Sequence, residues 1–178
     1  MTALVHARHA ARVTRTDVPD AGDERSTLLR MLDYTRRTAI WKVEGLADAD
    51  AQRAPLPTSP LTSPGGLLSH LRWVEHSWVE RRFAGRPDRG PWTRADPDAD
   101  LRLGLHTPLA EIVAGYREQI EVDDAIVAGA HLDDLAVVPA RGRHQNLRWT
   151  LLHLIEETAR HNGHLDLLRE MADGSVGN

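Results

Sequence analysis

Apolar residues return every three or four positions over four separate stretches of this chain, the signature of amphipathic helices. No run of alternating β-branched residues is long enough to name a strand, "LAVVP" (Leu135 to Pro139) being the only short exception to weigh. The first stretch runs from Asp23, a good N-cap with Glu24 in the first turn, to Leu46, and it carries Leu28, Met31, Leu32, Ile40 and Val43 on one face. The second opens with Ser63 as N-cap and Pro64 at the first helical position and continues to about Phe83, with Leu67, Leu71, Val74 and Trp78 as its stripe. The third starts with another cap-then-proline pair, Thr107-Pro108, and presents Leu109, Ile112, Val113, Tyr116, Ile120 and Ile126. Asn146 caps the fourth, and Gly174 is suited to end it in a left-handed conformation. The fold expected is therefore all-α, a four-helix bundle. Its connections are longer than the ~2–8 residues usual in bundles, and long loops at a bundle end often carry a site. The first connection, rich in Pro, Ser and Thr, has room for one short helical turn, and Arg141-Gly142 suits a tight turn.

The bulk properties narrow the function classes. A chain of 178 residues with 41% apolar and 27% charged residues is enough for one globular domain, here expected over 23–174 between a flexible arm (1–22) and a short tail (175–178). A net charge of −4 argues against nucleic acid as partner. Lys42 is the only lysine, so almost all positive charge is arginine, a bidentate partner for carboxylates. There is no cysteine, which excludes disulfides, Cys-ligated zinc and a nucleophilic thiol of the protein's own. No apolar run approaches the ~18 residues of a membrane span. The basic N-terminus lacks the apolar core of a secretory signal, so a cytoplasmic location is expected. His6 and His9 in that arm are read as part of a disordered tail rather than as ligands.

The fourth helix poses the chemical question. His153, Glu157, His161 and His164 fall within a sector of ~80°, mixed with apolar neighbours rather than on a uniformly solvated face. A carboxylate partly buried there needs compensation, from an arginine or from a metal ion. Glu157 and His161, four residues apart, sit on successive turns and converge on one point. A third ligand must come from a facing helix, and His70 in "GLLSHLRWVEH" is the obvious donor. A His₂Glu set with open positions suits catalytic zinc, and also Fe²⁺, Ni²⁺ or Mn²⁺. The competing reading makes His70 a hydrogen-bonded core histidine and Glu157 the partner of an arginine. His76, His106, His131 and His144 are assigned to surface or loop. Trp73 and Trp78 are read as core, whereas Trp92, in a polar loop, is the candidate wall of a cofactor or substrate pocket.

The helix order and the segments "GLLSHLRWVEHSW" and "EETARHNGHLDLLRE" resemble the DinB-like superfamily over about residues 23 to 174, closest to its uncharacterised mini-circle branch. The resemblance implies a bundle, often homodimeric, with a divalent metal between the second and fourth helices. In members similar to mycothiol-dependent maleylpyruvate isomerase, one His comes from the second helix, and a Glu and a His, four apart, come from the fourth. Those match His70, Glu157 and His161. That isomerase carries a further C-terminal domain, so maleylpyruvate isomerisation is not expected here.

Three functions follow from that resemblance. The first is a metal-dependent transferase that uses a low-molecular-weight thiol of the mycothiol type as nucleophile on a small-molecule substrate, with His164 or His153 orienting a ligand or relaying a proton. The second is a metal hydrolase that activates water at the same site. The third is a non-catalytic metal-binding or ligand-binding protein.

Overall fold

In the computed structural model, which describes residues 21–176, three of the long helices begin at a local capping contact. Helix α1 (Glu24–Val43) starts where the Asp23 carboxylate accepts from the Ser26 N–H at 2.9 Å, and it ends just before Gly45 at φ +79°. A short α2 (Asp48–Gln52) follows in the crossover. Helix α3 (Pro64–Glu75) starts with Ser63 Oγ accepting from Gly66 N–H, and Pro64 occupies the first turn, where its missing N–H costs nothing. Helix α4 (Ala99–Leu103) is short, α5 spans Leu109–Ala128, and α6 spans Leu147–Asp173 between the Asn146 cap and Gly174 at φ +76°. Arg141 and Gly142, both at positive φ, make the expected tight turn. The described residues contain no strand. The segment around "LAVVP" contributes only isolated bridges, Leu135 to Asn146 and Ala140 to Arg143.

Three features differ from the sequence reading. Helix α5 starts at Leu109, and its free N–H is capped from a distance by Asp48 Oδ1 at 2.8 Å rather than by Thr107. Helix α4 lies inside what reads as a polar loop. Helix α3 continues as a π-helical segment, His76–Phe83. In that wider winding the buried positions shift to His76, Val79, Glu80 and Phe83, and Val74 and Trp78, expected in the stripe, are only partly buried. His76, expected at the surface, is fully buried for the same reason, whereas His106, His131 and His144 are exposed.

Helix α1 packs along α6, and α3 packs against α4, α5 and α6. Two apolar clusters form the core. One holds Ile40, Leu68, Leu71, Ile112 and Leu165, and the other Leu32, Val79, Phe83, Leu151 and Leu154. On each long helix the residues between the clusters are polar and buried: Arg36 on α1, Glu75 and His76 at the end of α3, Gln119 and Asp123 on α5, Thr158 and Asn162 on α6. The Arg36 guanidinium forks onto Glu75, and Tyr116 donates to Glu75 at 3.0 Å. Gln119 donates to both Glu80 (3.2 Å) and Asp123 (3.0 Å). His76 Nε2 accepts the Arg89 backbone N–H at 3.0 Å, which leaves its proton on Nδ1, facing Glu80 at 3.1 Å. No helix among the described residues is long and apolar enough to cross a membrane. The expectations for the N-terminal arm, with His6 and His9, lie outside the described residues.

Candidate metal centre

His70 projects from the middle of α3 toward α6, where Glu157 and His161 share a face one turn apart. One ligand atom from each of the three lies within 4.8 Å of the others. Glu157 Oε1 is 3.2 Å from His161 Nε2 and 3.5 Å from His70 Nε2, and the imidazole rings stand edge to face with centroids 5.0 Å apart. A tetrahedral ion with bonds of about 2.0–2.1 Å separates its donors by roughly 3.3 Å, close to the two spacings from Glu157 to the imidazoles. Among the described residues no arginine lies within ion-pair distance of Glu157, and its only such partners are the two imidazoles. The donor set, two neutral nitrogens and one carboxylate, suits zinc and its first-row neighbours.

Each imidazole is held from behind. His70 Nδ1 lies 2.7 Å from Asp100 Oδ2, so the ring donates there and its Nε2 lone pair points at Glu157 and His161. His161 Nδ1 lies 3.3 Å from His164 Nδ1, leaving His161 Nε2 on the Glu157 side. Asp100 belongs to α4, whose only sequence signal is a pair of leucines, Leu101 and Leu103, after a run of turn formers, and sequence reasoning missed it for that reason. Helix α4 is pinned to α3 by Ser69 Oγ, which donates to the Asp100 carbonyl at 2.6 Å, and by glycine backbones in contact at Gly65, Gly66 and Gly104.

The electrostatics of the three side chains favour positive charge between them. Burial works against a charged His70, but Asp100 and then Glu157 outweigh it and raise its pKa above the ordinary value. Burial lowers His161, and the nearby His70 charge pushes the same way. Burial opposes the ionised Glu157, yet His161 and then His70 hold its carboxyl below the usual range. A positive charge is thus stabilised at the meeting point of the three side chains, the role a bound cation would take over.

A cavity of about 580 Å³ opens beside the triad, with His70, His161 and His164 in its wall. The other expected site residues are placed differently. His153 stacks on Trp149 (centroids 5.1 Å) and meets Trp78 edge-on (4.6 Å), and it belongs neither to the triad nor to the cavity wall. Trp92 packs edge-on against Trp73 at 6.2 Å and fills the space beside Gly90, so it too is absent from that wall. No curated protein matches the chain. A family model described as mycothiol S-transferase covers residues 27–174, nearly the whole described structure with all three converging side chains inside it, and the chain belongs to that family, within the DinB-like superfamily.

Proposed function

We propose that this protein is a divalent-metal-dependent S-transferase that joins a low-molecular-weight thiol of the mycothiol type to an electrophilic small molecule. The observation that carries the reading is the convergence of His70, Glu157 and His161 within 4.8 Å, beside an open cavity, in a mycothiol S-transferase family chain with no cysteine of its own. A divalent ion held by these three side chains, with zinc the first candidate and nickel, iron or manganese the alternatives, supplies the positive charge that lowers a thiol pKa and makes a thiolate available near neutral pH.

The protein's own part is positional. Asp100 and His164 hold the far nitrogens of the two imidazoles, so that both rings keep their donor atoms turned toward Glu157. The Glu157 charge keeps the cluster attractive to a cation. His164 is exposed on α6 at the cavity, which supports a role in passing the thiol proton to solvent. In the net reaction the thiol loses its proton, its sulfur forms a bond to the electrophilic carbon, and the pair from the broken bond leaves with the departing group. The products are a thioether and the protonated leaving group.

The test is conjugation of mycothiol to an alkyl halide by the zinc-loaded protein, with the thioether detected by mass spectrometry. His161→Ala is expected to keep its helical circular dichroism while losing both bound metal and conjugate formation. A conjugation rate no faster than the uncatalysed one, or ester hydrolysis that proceeds without any thiol, overturns the reading.

A further inference from the structure

The wall of the cavity beside the triad is strongly one-sided in chemistry. Leu56, Leu67, Leu101, Leu167, Leu168 and Met171 form most of it. Apart from the histidines, its polar members are Ser59, Thr62 and Glu170, and no arginine or lysine lines it, although the chain has 22 basic residues in all. Three of these apolar side chains are exposed: Leu56 at 38%, Met171 at 49% and Leu167 at 62%. Leu167 and Met171 are one helical turn apart on α6, so they present a continuous apolar edge at the mouth. A volume of about 580 Å³ is in the range of small-molecule sites, and it is contiguous with His70 and His161.

Resting on the transferase reading, we infer that this cavity receives the electrophile, not the thiol, and that the electrophile has an uncharged, apolar body. A hydroxyl-rich thiol placed against leucines would leave its hydroxyls without partners, at a cost of about 1–3 kcal/mol for each buried group. An anionic body lying along the apolar wall would meet Glu170 and no arginine or lysine. A neutral aliphatic or aromatic body instead covers Leu56, Leu167 and Met171 and brings its reactive carbon toward the triad. Ser59 and Thr62 remain free to donate to one polar group on it. The sugar-bearing thiol then reaches the triad from solvent, without lying against the leucines.

Two measurements on the metal-loaded full chain test this. The first needs no turnover: the neutral fluorophore N-phenylnaphthylamine is titrated in the absence of thiol. Saturable binding is expected, competed by straight-chain alcohols with about fourfold tighter binding for each added methylene. The doubly substituted Leu167→Gln, Met171→Gln protein, altered only at exposed positions, is expected to lose at least tenfold in probe affinity while keeping its metal content and thermal midpoint. The second compares neutral alkyl halides of increasing length with carboxylate-bearing analogues of the same length. KM should fall with chain length for the neutral series and rise on adding the carboxylate. Probe binding that the double substitution leaves intact, a preference for the charged series, or a dimer that the double substitution dissociates overturns the inference. Probe binding that behaves as expected in a protein without transferase activity sinks the proposed reaction and leaves the ligand class standing. Conjugation with no dependence on chain length does the reverse.

Discussion

Asp100 Oδ2 and His70 Nδ1 lie 2.7 Å apart, and this contact joins a helix with almost no sequence signature to one corner of the candidate metal centre. Asp100 is buried, so the ring it holds has little freedom to turn its Nε2 away from Glu157. Asp100→Ala is expected to lower metal affinity by about 10–100-fold, the usual cost of removing such a support, with Asp100→Asn in between because its amide oxygen still accepts from Nδ1. Competition with a chromophoric chelator reads this directly. Equal affinity in all three proteins would show that the contact is incidental.

The same helix depends on glycine. A Cβ on Gly104 would stand 2.2 Å from the backbone of Gly65 and Gly66, which cannot yield as a flexible side chain could. Gly104→Ala is therefore expected to push α4 off α3, destabilise the protein by about 1–3 kcal/mol, and weaken metal binding through Asp100. Gly163 on α6 is the control, since a Cβ there meets nothing within 4 Å and Gly163→Ala should stabilise the exposed helix by about 0.5–1 kcal/mol. Urea unfolding of both variants checks the pair. A Gly104→Ala protein as stable as the wild type would mean that the close approach of α3 and α4 is not needed.

The elements legible in the sequence are those specified locally. Asp23, Ser63 and Asn146 mark helix starts because each satisfies an N–H only three residues away, and Gly174 marks an end through its own φ. Glu157 and His161 were legible as a pair because helical spacing alone brings them together. What could not be read depends on partners far along the chain. Asp48 caps α5 across 61 residues, Asp100 reaches His70 across 30, and the winding after Glu75 turns π-helical. His76, the first residue of that segment, lies in the polar layer, and Trp78 within it is only partly buried. The contact of Trp92 with Trp73 is likewise made through a loop and has no local signature in the sequence.

The buried layer between the two apolar clusters turns on Arg36. Its guanidinium forks onto Glu75 and reaches Asp124 at 2.8 Å, and although burial opposes its charge, Glu75 raises its pKa. Arg36→Met removes the cation and leaves the buried Glu75 carboxylate with no charged partner, only the Tyr116 hydroxyl donating to it. A loss of about 3–5 kcal/mol is expected, as for other buried pairs broken from one side. Metal content should be unchanged at temperatures where the variant is folded, because no ligand or supporting residue of the triad touches Arg36. Metal lost from a folded Arg36→Met protein would mean that the layer and the metal centre are coupled.

Asp123, in the same layer, sets an expected pH dependence. It is fully buried, and burial first, then the Glu75 charge, push its pKa well above the ordinary 3.8, with Arg36 opposing. The native state thus keeps a proton on Asp123 that the unfolded chain has released, and above pH 3.8 the folded form binds more protons. Stability from this group is complete below the unfolded pKa and is lost as pH rises toward the raised folded value. Asp123→Asn fixes the neutral state, and its side-chain oxygen still accepts from Gln119. The variant is therefore expected to be more stable than the wild type at neutral and mildly alkaline pH, with the difference shrinking as pH falls into the acid range. Urea midpoints of the two proteins across that span measure the difference free of every other titrating group. A gap that stays constant with pH, or that widens toward acid, would show that Asp123 is ionised in the fold.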